Sequence, residues 1–374
     1  MKRTGTLYDF VDREEMSPSS SEFQKYLKEL MNEKEEPVRG LTIISETPPV
    51  DLFSEFQLSD YKVEIESRGT INQGYLKRER KSEIYEDGIR YFEDSFLTIS
   101  HDEPEIYTLL SVSDKPFFDK GLCRYIEALP SEITSSFLSS EDLRRLIQVI
   151  DRKITGSLSV KKAVLKTTNK DTEIEYHRDE IEYAGVFNEA TTENRYVDKI
   201  QLSLGQSDRS FNFFVSRDGE SRFIGGDITL YIDTLLPGVA GQLSDKDTLF
   251  KNRARQYGSR DADPLKIQYN EGAIQGVEQN RRLVEALKGV SRSSITVYHD
   301  NPYLHASLLD FDDGTNVDVY LTSDHAISII PGFNASRKSL SRICNQINKG
   351  FFEGDVIAPE DQEERSFEEY FSPA

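Results

Sequence analysis

The sequence predicts an α+β protein with two to three domains. At 374 residues the chain is longer than one hydrophobic core usually supports. Segments with the period of a strand and segments with the period of an amphipathic helix both recur along it. Hydrophobic residues make up 37% of the chain, so a core is expected together with a sizeable share of loop.

Residues 1–99 are expected to form an irregular, partly flexible N-terminal region. Serine and proline clusters, SPSSS and ETPP, interrupt it, and one amphipathic helix is predicted over residues 23–33. Short strand-like segments such as YKVEIES and SFLTIS follow. The first residues contain no apolar signal-peptide core, and no run approaches 18 apolar residues. These features predict a cytoplasmic protein without a membrane span.

Residues 100–245 are predicted to form a central α+β domain. IYTLLSVSD has the pattern of a buried strand, and FFDKGLCRYIEAL that of an amphipathic helix. Ser139 or Ser140 is expected to cap a second helix, with Asp142 in its first turn. Strand-like segments follow, including a hairpin whose turn is Asp218-Gly219, and ITLYIDTLL closes the domain.

Residues 264–350 are predicted to form a C-terminal α/β domain of β-α-β-β-β-α order. PLKIQYN has a strand pattern, GVEQNRRLVEALKGV a helix pattern, and SSITVYH a strand pattern again. Two strands joined by a helix favour parallel pairing with a right-handed crossover. Further strands lead to a helix that Ser336 caps and Gly350 ends.

The charge distribution limits the partners of the chain. Its net charge of −20 repels nucleic acid and anionic membranes overall, so any binding to them needs a local basic patch. The lack of tryptophan and the strongly acidic composition also suggest a salt-adapted protein. Residues 351–374 form an acidic tail, which is predicted to be disordered or to face a partner.

Two basic segments stand out against this background. The predicted linker 246–263 contains Lys251, Arg253, Arg255 and Arg260, which are candidate contacts to nucleic-acid phosphates. LKRERK, residues 76–81, is the second segment. The competing interpretation is a solvated linker whose charges pair with the abundant carboxylates.

The stretch YHDNPYLHASLLDFDDG, residues 298–314, concentrates polar chemistry. In a strand over residues 303–311, alternation places His305 and Ser307 on one face, opposite Leu304, Ala306 and Leu308. Asp312 follows in the turn. Further on, Gly332 to Ser336 lead into a helix N-terminus, whose backbone N–H groups favour anions. Arg337 and Lys338 in its first turn oppose the helix dipole unless something negative binds there.

This arrangement over residues 265–350 resembles the phospholipase D-like phosphodiesterases and nucleases. Their motif is His-x-Lys, then four residues and an Asp, followed later by Gly-Ser-x-Asn. The resemblance implies catalytic roles for His305, Asp312 and Asn334, and phosphate binding by the set Ser307, Ser336, Arg337 and Lys338. It implies no cofactor and no metal. Ser307 replaces the motif's Lys, one residue instead of two separates Gly332 from Asn334, and one copy of a motif that works in pairs is present.

Two other interpretations of this stretch remain open. Asp-Asp-Gly closes many hairpins in acidic proteins, so the cluster can be purely structural. A metal site is the other alternative, with ligand types supplied by His299, Asp300, His305, Asp310, Asp312 and Asp313. Asp310 is expected to point away from His305, which counts against a shared metal.

The favoured function is a non-catalytic intracellular component of a multi-protein system that handles nucleic acid, with phage defence as a suggested context. Its partners would be other proteins of a complex and nucleic acid bound through residues 251–260. The alternative is a metal-independent phosphodiesterase or nuclease that works as a homodimer, pairing two copies of the His305 site. The enzyme requires His305 in a cleft facing Asn334, and the binding module does not.

Overall fold

The chain is an α+β protein with two antiparallel sheets, each in its own compact unit. The units are Met1–Asp247 and Thr248–Ala374. The computed structural model describes residues 20–68, 71–81, 88–129, 133–154, 158–168, 173–176, 181–205, 210–251, 253, 264–274 and 276–358. Among these residues no helix is both long and apolar enough to cross a membrane.

The larger unit contains a 12-stranded sheet and most of the helices. The helices are α1 (Ser20–Lys34), α2 (Pro49–Glu55), α3 (Lys115–Phe117), α4 (Arg124–Ala128), α5 (Ser140–Lys153), α6 (Tyr183–Thr192), α7 (Ile228–Leu230) and α8 (Leu236–Lys251). Two π-helical segments, Phe118–Cys123 and Tyr231–Leu235, join α3 to α4 and α7 to α8. The strands are β1 (Val38–Ser45), β2 (Tyr61–Arg68), β3 (Ile71–Lys81), β4 (Ile89–Ser100), β5 (Ile106–Val112), β6 (Ile133–Thr134), β7 (Leu158–Thr167), β8 (Glu173–Tyr176), β9 (Ile181–Glu182), β10 (Arg195–Gly205), β11 (Ser210–Ser216) and β12 (Glu220–Gly226).

The sheet order shows that the N-terminal region is not a separate irregular part. The strands follow the order β2-β3-β4-β5-β1-β12-β11-β10-β7-β8, so β1 lies in the middle of the sheet. Val38 pairs with Val112 on one side and with Phe223 on the other. The expectation for residues 1–99 is therefore wrong over 38–68, 71–81 and 88–99. Serine and proline clusters are local signals, whereas β1 satisfies its backbone groups through partners far away in the chain.

The two faces of this sheet are covered differently. One face packs along its length against α1, α5, α6 and α8, forming a large apolar core. On the other face, α2 and the α3–α4 segment cover the half made by β1 to β5. On β10, β11 and β12 the side chains of that second face are half-buried, in alternation with fully buried ones. This half of the sheet is therefore solvated on one side.

The helix cap and the hairpin turn predicted from single residues are present in the structure. Ser139 caps α5 in a capping box, because its hydroxyl accepts from Asp142 N while Asp142 accepts from Ser139 N. Asp218-Gly219 forms the β11–β12 turn, with Gly219 at φ 75°. ITLYIDTLL, however, is helical, and α8 continues past Pro237 because a helix tolerates proline in its first turn.

Gly225 and Gly226, at the end of β12, allow a test of whether the backbone there requires glycine. Gly226 has φ 98°, and a Cβ there would lie 1.9 Å from Ser210 O, whereas a Cβ on Gly225 would meet nothing within 4 Å. Gly226→Ala is expected to lower the free energy of unfolding by about 2 kcal/mol or more, since it combines strain with a backbone clash. Gly225→Ala is the matched control and should change it by less than about 1 kcal/mol in urea unfolding. Equal effects would show that the left-handed backbone at Gly226 is not required.

Within its described residues, the smaller unit consists of a six-stranded sheet and two helices. Its elements are β13 (Leu265–Gln268), α9 (Val277–Lys288), β14 (Ser293–His299), β15 (Leu304–Asp310), β16 (Thr315–Leu321), β17 (Ala326–Pro331), α10 (Arg337–Gly350) and β18 (Asp355–Ile357). The strand order is β14-β15-β16-β17-β13-β18. Ser336 caps α10 by accepting from Ser339 N, and the helix ends at Gly350 as expected.

The predicted parallel β-α-β unit is wrong. β13 pairs antiparallel with β17 and β18, and three strands separate it from β14. After α9, each strand pairs antiparallel with the strand before it, from β14 to β17. The last of them, β17, is therefore the strand that pairs with β13. Short connections between consecutive strands favour such antiparallel neighbours. The unit is α+β rather than α/β.

The expected boundaries also shift. No unit boundary lies near residue 99, and the boundary after Asp247 falls close to the expected end of the central domain at 245. Residues 246–251 of the proposed linker are the last turns of α8. Within the acidic tail, residues 355–357 form β18 and pair with β13. Residues 254–263 and 359–374 lie outside the described part of the chain.

Candidate anion-binding site

The predicted catalytic residues lie at opposite ends of the smaller sheet. His305 is the second residue of β15 and pairs with Tyr320, whereas Asp310 ends the strand and pairs with Thr315. At about 3.4 Å per residue, roughly 17 Å of strand separates His305 from Asp310. Asp312 follows in the turn, and Asn334 follows β17 at the same end. The expected group of His305, Asp312 and Asn334 is therefore not assembled within one chain.

His305 takes part in a row of aromatic rings. Its ring stacks on Tyr320 with centroids 4.3 Å apart and lies 4.9 Å from the ring of Tyr298. Its Nε2 is 3.9 Å from Asp318 Oδ1. His305 and Ser307 share one face and Asp310 points to the other, as alternation predicts. This geometry is that of cross-strand packing between neighbouring side chains.

Asp310 and Asp312 hold the β15–β16 turn against α10. Asp310 is fully buried, and its Oδ2 accepts from Arg342 Nη2 at 2.7 Å and from the Ser339 hydroxyl. Arg342 also donates to Asp312, which accepts from Arg292 Nε at 2.9 Å. Because Arg342 occupies both carboxylates, they do not form a metal site. Among the described residues no group of three or more His, Cys, Asp or Glu side chains could hold a metal ion.

The expected anion at the start of α10 is supplied by the chain itself. Ser336 N donates to Asp313 Oδ2 at 2.9 Å, so a carboxylate already satisfies this helix end. Burial lowers the pKa of Lys338, although Asp312 and Asp313 oppose that effect. Arg337 is buried and Ser307 lies in the middle of β15. Ser336, Arg337 and Lys338 adjoin at the start of α10, but Ser307 lies on the face of β15 opposite Asp310, which contacts that helix, so the four predicted phosphate ligands do not form one site. An external phosphate at α10 would meet Asp313.

Some described residues of the two basic segments contact other parts of the chain. Arg253 Nε donates to Pro264 O at 3.1 Å, and its Nη1 donates to Leu249 O. Lys251 is exposed at the end of α8. Arg255 and Arg260 lie outside the described residues, so their role stays a prediction. In the second segment Arg78 donates to Lys120 O, and Lys77 lies 3.5 Å from Glu93.

A cavity of about 360 Å³ lies where the helical cover of the larger sheet ends. Its floor is the solvated face of β7, β10, β11 and β12 together with Arg39 at the start of β1, and its wall is the segment that begins with α3. Five cationic side chains line it, in a chain of net charge −20: Arg39, Lys115, Lys162, Lys199 and Arg222. Two carboxylates, Asp119 and Glu220, stand at the same cavity.

The strand register explains how residues far apart in sequence meet here. Lys162 pairs with Gln201, Gln201 with Phe214, Phe214 with Arg222, and Arg222 with Arg39. These five residues form one row across five neighbouring strands, on the same face. Lys199 stands two residues from Gln201, and therefore on that face as well.

Arg222 is the central cation of the row. Its guanidinium lies over the Phe214 ring, 5.0 Å from the centroid. Burial lowers its pKa, and neighbouring Arg39 lowers it further. Its Nε is buried, and no described residue accepts a hydrogen bond from it. Arg222 is therefore a half-buried cation that carries one unsatisfied donor.

Two other cations of the cavity, Arg39 and Lys115, contact neighbouring residues of the chain. Arg39 is buried, its Nε donates to Ser113 O at 3.0 Å, and its Nη2 lies 3.5 Å from Glu36. Lys115 Nζ lies 3.9 Å from Asp119. Burial raises the pKa of Glu220, and nearby Asp119 adds to this effect while Lys199 opposes it. A dianion beside Lys199 and Arg222 would have two cations to bind and two carboxyl groups, Glu220 and Asp119, to avoid.

Sequence reasoning missed this cavity. The sequence predicts strand-like segments in this region, but β7, β10 and β12 each contribute only one cation to the cavity, so no single segment marks a site. The signal that could have indicated the cavity is that several strands each carry a basic residue at a position facing solvent.

The chain matches no protein-family model and no curated protein.

Proposed function

We propose that this protein is a non-catalytic binding component of a cytoplasmic multi-protein system that handles nucleic acid. Its larger unit binds a phosphate-bearing ligand in the cavity on the solvated sheet face. The observation that carries the proposal is the convergence of five cationic side chains from five elements in a strongly acidic chain.

Electrostatics favours local rather than general binding. The overall charge repels a polyanion at long range, so attraction must come from short-range contacts inside the cavity. Arginine and lysine bind phosphate oxygens through charge-assisted hydrogen bonds, and such bonds gain strength where water is reduced. The half-buried position of Arg222 and the buried position of Arg39 meet this condition.

The non-catalytic part of the proposal rests on the separation of His305 from Asp312 and Asn334. The dimeric phosphodiesterase needs a nucleophile and a phosphate-binding group in one place. In the described structure His305 packs between two tyrosines instead.

A titration with a labelled single-stranded oligonucleotide tests the binding. The probe is a DNA 12-mer with a 5′-phosphate and a 3′ fluorophore, followed by anisotropy at several salt concentrations. We expect affinity that falls as salt rises, with a log–log slope near −2 for about three phosphate contacts. The double variant Lys199→Glu/Arg222→Glu should weaken binding at least about tenfold at low salt, because it replaces two ligating cations by carboxylates.

The matched control reverses two exposed cations of the same unit, Lys25 and Lys62, outside the cavity. Lys25→Glu/Lys62→Glu changes the net charge by the same amount and should leave binding nearly unchanged. No binding by the wild type at low salt, or equal losses in both variants, would remove the cavity from the proposal. Hydrolysis of the probe that His305→Ala abolishes would instead establish the dimeric enzyme.

A further inference from the structure

A second cavity adjoins the first, and the two are lined by side chains of different chemistry. A second cavity of about 530 Å³ shares Gln201 and Arg222 with the first, so these two side chains stand at the boundary. The second cavity is lined by Asn32, Glu35, Glu36 and Ile224, among others. One side of Arg222 is therefore rich in cations, and the other offers carboxylate, amide and apolar groups.

We infer that the two cavities together bind a nucleoside carrying a terminal phosphate, with the phosphate on the cationic side and the nucleoside on the other. This inference rests on the proposed function of the first cavity. The ligand can be a free nucleotide or the phosphorylated end of a strand, because both present the same chemistry.

Charge selects a terminal phosphate over an internal one. A phosphate monoester carries about −1.5 to −2 charges at neutral pH, whereas each phosphodiester carries one. The cations are concentrated at one cavity rather than spread along a track. A strand that continued through the second cavity would bring its next phosphates to Glu35 and Glu36, where like charges repel.

The second cavity suits a nucleoside. Bases stack on guanidinium planes, and Arg222 brings a guanidinium to this cavity. Carboxylates accept hydrogen bonds from base amino groups. Glu35 is exposed at this cavity and can accept, whereas Glu36 Oε2 already lies 3.5 Å from Arg39 Nη2. Cavities of several hundred Å³ are the usual size for ligands of this class.

Five probes that compete for the oligonucleotide site distinguish the possible ligands. They are the 12-mer with a 5′-phosphate, the same 12-mer with a 5′-hydroxyl, adenosine and guanosine 5′-triphosphates, and inorganic triphosphate. We expect the 5′-hydroxyl strand to bind at least tenfold more weakly than the phosphorylated strand, and a nucleotide to displace the latter. Tighter binding of a nucleotide than of the strand would identify the free nucleotide as the source, and the reverse order would identify the strand end.

A variant at the rim tests the nucleoside half separately. Asn32 is exposed on α1, so Asn32→Trp should fill the second cavity without disturbing the core. It is expected to weaken nucleotide binding severalfold and to leave inorganic triphosphate binding unchanged. Asn32→Ala, which opens the cavity, serves as the control and should retain nucleotide binding.

The outcomes distinguish this inference from the proposed function. Equal binding of the 5′-hydroxyl and 5′-phosphate strands would overturn the inference while the cavity remained a phosphate site. Inorganic triphosphate binding as tightly as both nucleotides, with Asn32→Trp affecting neither, would do the same. If no probe binds at low salt, both fail.

Discussion

Replacing Asp310 by asparagine should lower the free energy of unfolding of the smaller unit by about 3 kcal/mol. Asp310 is fully buried, and its carboxylate accepts hydrogen bonds from Arg342 Nη2 at 2.7 Å, from the Ser339 hydroxyl and from Asp312 N at 2.8 Å. Asp310→Asn keeps the volume but removes the charge, so the partly buried guanidinium of Arg342 loses one of its two carboxylates. Breaking one partner of a buried pair costs more than the pair contributes, because the other charge stays buried.

Hydrogen exchange measured across a urea series follows this effect in peptides of β15 and α10. Asp318→Asn is the control, because that carboxylate lies on the same hairpin and is 41% exposed. The control should change stability by less than about 0.5 kcal/mol. Asp310→Asn with wild-type protection in α10 would show that the turn and the helix do not depend on this contact.

The second large effect is expected at Lys246. Its Nζ donates to Phe137 O at 3.0 Å, pairs with Asp142, and lies 4.1 Å from the centre of the Phe137 ring. Both members of the ion pair are largely buried. Lys246→Met preserves much of the apolar stem but leaves Asp142 buried without its cation. We expect a loss of about 3 kcal/mol in the free energy of unfolding at neutral pH.

The pH dependence gives this variant a second, independent signature. Burial raises the pKa of Asp142, but Lys246 and the hydrogen bonds from Ser139 outweigh it, so the pKa lies below its ordinary value. The stabilisation from this shift is present above the ordinary pKa of aspartate, about 3.9, and is lost as the pH falls through the lower folded-state pKa. In Lys246→Met burial acts without its main opponent, so the pKa of Asp142 rises.

Acid unfolding of Lys246→Met should therefore begin at a higher pH than in the wild type. Circular dichroism during acid titration measures this midpoint. Lys153→Met is the control, because Lys153 is exposed at the end of α5, the helix that carries Asp142, and this variant should leave the midpoint in place. An unchanged midpoint in Lys246→Met would mean that Lys246 does not set the protonation of Asp142.

The sequence by itself determined features that depend on a few adjacent residues. Ser139 and Ser336 cap helices because a side-chain hydroxyl reaches a backbone N–H within the next turn. Asp218-Gly219 forms a turn because glycine adopts positive φ without a steric penalty. Alternation placed His305 and Ser307 opposite Leu304, as the structure shows. The α+β class followed from the same local periodicities.

Only the tertiary structure decided which of these segments meet. Strand order placed β17, rather than β14, beside β13, and helix and strand patterns do not specify pairing partners. Antiparallel register placed Arg39, Lys162 and Arg222 in one row, although more than 180 residues separate the first from the last. Conversely, His305 and Asp312 are close in sequence yet stand far apart, because an extended strand advances about 3.4 Å per residue. Nearness in sequence is preserved in turns and caps and is lost along strands, so a cavity formed across five strands could be found only in the folded chain.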